Sequence, residues 1–232
     1  MLKTLPETPE RMQQELRLCL ALGTAMIATR GYAAPEVGQV YNRARALCQR
    51  GAPTPQHFPV LVGLWSFYLV RAELQTAHRL GQQCLLVAEQ AQDATMSLEA
   101  HAILGLTLFF LGDFLPARSH LEQCLALHDS APSSLSALHT VGLPVVVCPS
   151  FIAFILWLLG YPAQAQRQSH EAMALARQTA HPYSLAYALN LAGWLQQLLI
   201  GGQSTPELAK SLTALAAEHG FPFWEAQGTI LH

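Results

Sequence analysis

The sequence predicts an all-α fold, a right-handed α-α superhelix of about five stacked helical hairpins. The first reason is an internal repeat. Residues 111–127, LGDFLPARSHLEQCLAL, recur as LGYPAQAQRQSHEAMAL over residues 159–175, at a separation of 48 residues. Leu-Gly, an Ala six positions after the Leu, and a closing Ala-Leu return each time. Self-similarity on that scale marks stacked units that bury their apolar faces only against neighbours. The second reason is punctuation: prolines stand where helices would begin and glycines where they would end. The third is that no segment reads as a strong strand. Val145-Val146-Val147 is β-branched, but it is short, isolated and bounded by Pro144 and Pro149.

The elements follow in order from that punctuation. Thr8-Pro9-Glu10 opens a helix expected over residues 9–30. A proline at the first helical position loses no hydrogen bond, the preceding threonine can cap free amides, and a first-turn glutamate favours the helix dipole. Gly31 closes that helix, and Ala34-Pro35-Glu36 opens the next, over 34–50, before Gly51. Thr54-Pro55-Gln56 starts a third over 55–71, followed by apolar helical segments at 73–91 and 94–111. Gly112 separates the last of these from 114–128. Residues 129–148, rich in Ser, Pro and Gly, read as a long loop or insertion. Pro149, Pro162 and Pro182 begin helices over 149–160, 162–180 and 182–200, with Gly160 and Gly201 at their ends. Thr205-Pro206-Glu207 opens 205–219, Gly220 ends it, and a final helix starts near Pro222. The domain expectation is one helical-repeat domain over 1–232, its last repeat cut short near 221–232.

Small residues fix the pairing. Ala77, Ala117 and Ala165 each lie early in the second helix of a pair, with Cys84, Cys124 and Ala172 seven residues later. The spacings between these alanines are 40 and 48 residues, longer than the ~34-residue tetratricopeptide period. Leu104-Gly105 and Leu108, followed by Ala117, Leu121 and Cys124, reproduce the tetratricopeptide order of large and small positions. The large aromatics, Trp65, Phe67, Tyr68, Phe109, Phe110, Trp157, Trp194, Phe223 and Trp224, fall on these helices and are expected mostly in the core.

Longer runs carry a family resemblance. GYAAPEVGQVYNRARALCQR (31–50), FPVLVGLWSFYLVRAELQTAHRLGQQCL, EAHAILGLTLFFLGDFLPARSHLEQCLAL, LAYALNLAGWLQQLL and HGFPFWEAQGTIL span nearly the whole chain. Together they resemble the C-terminal tetratricopeptide region of large bacterial proteins that join a class III nucleotide cyclase domain, an AAA-type ATPase domain and a helical repeat. The resemblance implies a non-catalytic scaffold for protein–protein or intramolecular interaction in a signalling or regulatory ATPase context. Its partner would be a protein or peptide, the parent's own ATPase module included. The alternative is a product named through its parent as an adenylate or guanylate cyclase, or as an ATP-binding transcriptional regulator, with its catalytic domains outside this chain. The departures limit the transfer. There is no GxxxxGK[ST] phosphate loop and no counterpart of the cyclase metal-binding aspartates. The chain therefore reads as a fragment of a longer signalling protein, and the family's activity is not carried over. First helices line the groove of tetratricopeptide arrays, which implies Arg71, Asn190 and Gln197 as binding-groove residues.

Composition excludes several classes. The chain has 232 residues, of which 51% are hydrophobic and 12% charged, about half the usual charged share, and its net charge is −2. No basic footprint suits nucleic acid. The start, MLKTLPETPERMQQEL, lacks the apolar core of a signal peptide, so a cytoplasmic, reducing compartment is expected. The five cysteines, Cys19, Cys48, Cys84, Cys124 and Cys148, contain no CxxC pair and read as reduced, buried thiols. Residues 143–160 carry no charge, but Pro144 and Pro149 interrupt them, and a helix buried between neighbours is the expectation rather than a membrane span. The spacings His120–His128 and His170–His181 match no helical ligand pair, so no metal site is expected. Ser133, Ser134 and Ser136 near His139 lack a nucleophile elbow, and Asp93, Glu99, Asp113 and Glu122 are spread over different elements. No catalytic residue, cofactor or metal ligand is expected. Self-association through exposed apolar ends is a further expected mode.

Overall fold

The computed structural model describes residues 8–50, 57–130, 144–179, 181–201 and 205–231. These form eleven helices and, among the described residues, no strand. In chain order they are α1 (Pro9–Arg30), α2 (Pro35–Arg50), α3 (His57–Val70), α4 (Leu74–Ala91), α5 (Ala94–Leu111) and α6 (Phe114–Ser130). Then come α7 (Pro144–Leu158), α8 (Pro162–Gln178), α9 (Pro182–Leu199), α10 (Pro206–His219) and α11 (Pro222–Leu231). Expected and observed bounds agree within two residues, except around α7.

The caps follow the expected chemistry at several starts. Thr8 Oγ1 accepts from the Arg11 amide at 3.3 Å ahead of Pro9. His181 Nδ1 accepts from the Ser184 amide at 3.2 Å ahead of Pro182. Asp93 Oδ1 accepts from the Thr95 and Met96 amides and opens α5 without a proline. Thr205 precedes Pro206 but does not cap α10; its hydroxyl is buried without a partner. At the far ends, Gly31, Gly112, Gly160, Gly201 and Gly220 all take positive φ, while Ala72 and Gln92 take it without being glycine.

One segment differs from expectation. The loop foreseen over 129–148 loses both margins: residues 129–130 complete α6, and residues 144–148 open α7. Residues 131–143, with Ser133, Ser134, Ser136 and His139, lie outside the described residues. Pro149, expected at the first helical position, stands inside the helix, and Pro144 fills that role. Its ring removes one amide from the helical ladder. Burial offsets that loss, since Val146, Val147, Cys148, Phe151, Ile152, Ile155 and Leu156 are all core residues.

The described helices group into two compact units, α1–α5 and α6–α11. The expected third hairpin, α5 with α6, is split between them. In the first unit α1 packs on α2, and α3 on α4, with α4 against α5. Glycine notches seat its aromatics. The Tyr41 ring of α2 lies over Gly23 of α1 and Gly63 of α3, and the Phe67 ring of α3 lies over Gly38 of α2. A Cβ at any of these glycines would overlap the ring, so the absent side chain is what permits the approach. Consecutive first helices are tied by Trp65 Nε1 of α3, which donates to Thr107 Oγ1 of α5 at 2.8 Å in the buried interior.

In the second unit the second helices bury the expected small residues, Ala117 and Cys124 of α6 and Ala165 and Ala172 of α8. α7 is almost wholly interior. An aromatic chain closes the distal part: Phe151–Tyr187 at 6.3 Å, Tyr187–Trp224 at 5.2 Å, Tyr183–Trp224 at 5.5 Å and Tyr183–Phe221 at 5.4 Å between centroids. Edge-on contacts of this kind add to the stabilisation from apolar burial.

Candidate functional site

The second unit carries an open groove of about 250 Å³ between α6 and α8, floored by α7. Each wall is built the same way. The small residues of α6 and α8 face inward, so the charged positions of the same turns stand at the rim. On α6, Arg118 Nε and Glu122 Oε1 form an i,i+4 ion pair at 2.7 Å. On α8, Arg167 and Glu171 stand four residues apart, both exposed, and neither makes an ion pair among the described residues. The floor is apolar, with Ile152 and Leu156 of α7 beside Leu125. Gln164 and Gln168 add amide donors and acceptors. The groove thus offers two charges of each sign, two amides and an apolar seat. That set holds no nucleophile–base pair.

A second open pocket, of about 390 Å³, occupies the equivalent repeat position in the first unit, between α2 and α4 over α3. Its chemistry differs: Arg45 and His57 with Gln49, Gln83 and Gln90 surround Val60 and Leu86. The same hairpin geometry therefore produces one mixed-charge groove and one without a carboxylate.

No protein-family model and no curated protein matches the sequence. Solved structures do resemble it. A Rap protein complexed with Competence and Sporulation Factor superposes with a TM-score of 0.73 at 14% identity, over 97% of this chain and 60% of the other. BtubC (BKLC) from P. vanneervenii gives a TM-score of 0.64 at 13% identity, over 92% of this chain and 84% of the other. A putative kinesin light chain of Podosopora anserina with nearly identical TPR-like repeats gives 0.59 at 16% identity, over 93% and 99%. The fold is a tetratricopeptide-like helical repeat. This chain spans about 60% of the length of that Rap protein, and at these identities the likeness is one of fold.

The residues expected to line the tetratricopeptide-like groove fall in both units. Arg71 belongs to the first unit, at the α3–α4 turn, where it is exposed, pairs with Glu73 at 3.4 Å and lies over the Phe67 ring at 5.2 Å. Asn190 and Gln197 share one face of α9 in the second unit, two turns apart. Gln197 Nε2 donates to the Leu231 carbonyl of α11 at 3.2 Å. Asn190 is buried, and its Oδ1 has no donor. The rim residues Arg118, Glu122, Arg167 and Glu171 went unassigned in the sequence, although Arg-Ser-His-Leu-Glu (118–122) and Arg-Gln-Ser-His-Glu (167–171) repeat the pattern openly.

The thiols are buried for Cys48, Cys84, Cys124 and Cys148 and half-buried for Cys19, all unbridged. Cys148 Sγ donates to Cys124 Sγ at 3.5 Å, and this bond with burial holds its pKa well above the usual thiol range. Burial raises Cys84 as well, helped by the neighbouring Glu99, a carboxyl enclosed among apolar residues of α5. Among the described residues no three His, Cys, Asp or Glu side chains converge to hold a metal. By length and composition, only α5 among the described helices is long and apolar enough to cross a membrane, and half of it is buried within the fold.

Proposed function

We propose that this chain is a non-catalytic scaffold that binds a segment of another protein, or a peptide, in the α6–α7–α8 groove. The observation that carries the reading is the rim itself: two Arg and two Glu on facing second helices, above the apolar floor of Ile152 and Leu156. An extended segment would lay acidic and basic side chains against Arg167 and Glu171, and an apolar side chain on the floor. Charge-assisted contacts of this kind orient the ligand, and the apolar seat supplies most of the affinity. The use of this fold for ligand holding is supported by the Rap protein, solved in complex with Competence and Sporulation Factor.

The finer reading places the scaffold in a cytoplasmic signalling context, as an interaction module for an ATPase such as a cyclase-linked parent. It rests on the runs over residues 31–50 and those that follow. Within it, Arg71, Asn190 and Gln197 are proposed secondary contacts.

The test is selection of displayed short peptides on the purified chain, followed by affinity measurement for the enriched sequences. Arg167→Glu is expected to weaken binding about tenfold, equivalent to about 1.4 kcal/mol, without changing the far-ultraviolet spectrum. Failure to enrich any sequence, or affinity indifferent to R167E, overturns the groove assignment. Saturable ATP binding with turnover overturns the non-catalytic reading.

A further inference from the structure

Two thiols in the second unit face each other across a helix pair. Cys124 of α6 and Cys148 of α7 are both fully enclosed, and their sulfurs lie 3.5 Å apart. Packing accounts for a small side chain at the Cys124 position, not for two facing sulfurs. Seven residues after the hairpin alanine, α6 has Cys124 and α8 has Ala172, and alanine fills that place while staying buried. Sulfurs at this separation are already in contact. A disulfide brings them to about 2.0 Å, so closure asks for a shift of about 1.5 Å, shared between two side chains and two helices. Enclosure makes each thiol slow to react, and access therefore depends on local opening. Both cysteines sit near helix ends, where opening is easiest. Cys124 is less than two turns from Ser130, the last residue of α6, and Cys148 is four residues into α7. Pro149 weakens that first turn further, because it has no amide to give to the Val145 carbonyl.

We propose that Cys124 and Cys148 form a reversible redox site, a dithiol that hydrogen peroxide converts to a disulfide tying α6 to α7. In the first step one thiol sulfur takes a hydroxyl group from the peroxide as the O–O bond breaks, and the other oxygen leaves as water with the thiol proton. In the second step the facing sulfur bonds to that sulfur, the S–O bond breaks, and the hydroxyl leaves as water with the second thiol proton. The two sulfurs together lose two electrons, and one peroxide is reduced to two waters. A small dithiol reverses the change by thiol–disulfide exchange. Cys124 adjoins Leu125, and Cys148 stands one turn before Ile152, so the bond fixes the α6 wall of the groove on its α7 floor. The inference does not rest on a ligand binding there, and R167E leaves it unaltered.

The experiment treats the folded full chain with hydrogen peroxide, blocks free thiols with iodoacetamide, and digests it with trypsin for mass measurement. No Lys or Arg stands between Arg118 and Arg167, so both cysteines fall in the one peptide 119–167. That peptide is expected to be lighter by two hydrogens and to take no alkyl group, without crosslinks to Cys19, Cys48 or Cys84. After dithiothreitol it is expected to take two alkyl groups. The bond closes a loop between residues 24 apart in the unfolded chain. The oxidised chain is therefore expected to melt about 5–10 °C above the reduced one. Cys148→Ala, a small-for-small change, is expected to abolish both the mass loss and the gain in melting temperature. Wild type alone decides the mass result, whatever C148A does to folding. Two alkyl groups retained at peroxide levels that oxidise free cysteine overturn the inference. So do added oxygens in place of lost hydrogens, which would mark two independent thiols, and so does a bond to a second chain. An intramolecular disulfide that leaves the melting temperature where it was overturns the tie between α6 and α7.

Discussion

Replacing Thr107 by valine isolates a buried polar tie between consecutive first helices. Thr107 Oγ1 accepts the Trp65 indole proton at 2.8 Å and donates to the Ile103 carbonyl at 2.7 Å, with the Thr107 side chain fully enclosed. Valine preserves the shape, so packing around the site is conserved and the change is one of polarity. The Ile103 carbonyl still accepts a helical amide, and its loss is small. The indole N–H, 4% exposed as part of Trp65, is left without an acceptor. An orphaned buried donor costs about 1–3 kcal/mol, and the extra methyl offsets part of that, leaving an expected destabilisation of about 1–2 kcal/mol. Urea unfolding monitored by far-ultraviolet circular dichroism measures it, with Trp65→Phe and the double variant completing a cycle. W65F alone creates a cavity and costs more than T107V. The double variant should then cost about 1 kcal/mol less than the two singles added together, because the second change removes nothing further from the pair. An additive cycle, or a T107V midpoint equal to wild type, refutes the claim that this bond contributes to the first unit.

Gly63→Ala drives a methyl into the Tyr41 ring, and overpacking at a fully buried site is expected to cost about 1–3 kcal/mol by the same titration. Ala72 holds φ at +59° in the α3–α4 turn; Ala72→Gly relieves that strain and is expected to stabilise by about 0.5–1 kcal/mol, less the entropy glycine adds to the unfolded chain. Burial first, then neighbouring Tyr183 and Cys148, raise the Tyr187 phenol above its usual range, and burial raises Tyr41 and Tyr183 too. The unfolded chain therefore releases these protons first, so their stabilising contribution is complete below about pH 10 and is lost as pH rises toward the folded-state values. Urea midpoints should fall as pH rises above about 10, and Tyr187→Phe should flatten the fall; an unchanged slope in Y187F removes Tyr187 from the linkage.

How much of this was legible in the sequence depended on whether a signal was local. Helix starts at Pro9, Pro162, Pro182, Pro206 and Pro222 were readable because proline geometry acts within one turn. The packing positions Ala77, Ala117, Ala165, Cys84 and Cys124 were readable because close helix approach admits only small side chains, and all five are enclosed. The start of α7 was not. A proline and three valines argued locally against helix, and the burial that overrides them is a property of the surrounding second unit. The divide into two units was likewise hidden, since helix periodicity is blind to which neighbours a hairpin chooses. The partners of the site residues were not legible either: a polar residue on a first helix does not reveal that Gln197 meets the α11 carbonyl, or that Arg71 meets Glu73 and Phe67.

Repeat geometry also explains why the two grooves differ so sharply in chemistry. A second helix must keep small residues on its inner face, at positions such as Ala117 and Ala165, or the hairpin cannot close. Its rim positions carry no such constraint, because they meet solvent on one side and a neighbouring helix on the other. Sequence change is therefore absorbed at the rim without loss of fold, and the same architecture yields Arg45 and His57 among glutamines at one site and Arg118, Glu122, Arg167 and Glu171 at the other. The first set holds a single arginine and no carboxylate. The second is balanced in charge, so long-range steering is weak and recognition depends on register, each side chain of the ligand meeting its opposite along the helix pair. Binding proposed at the α6–α7–α8 groove should for that reason tolerate added salt better than binding that rests on charge of a single sign.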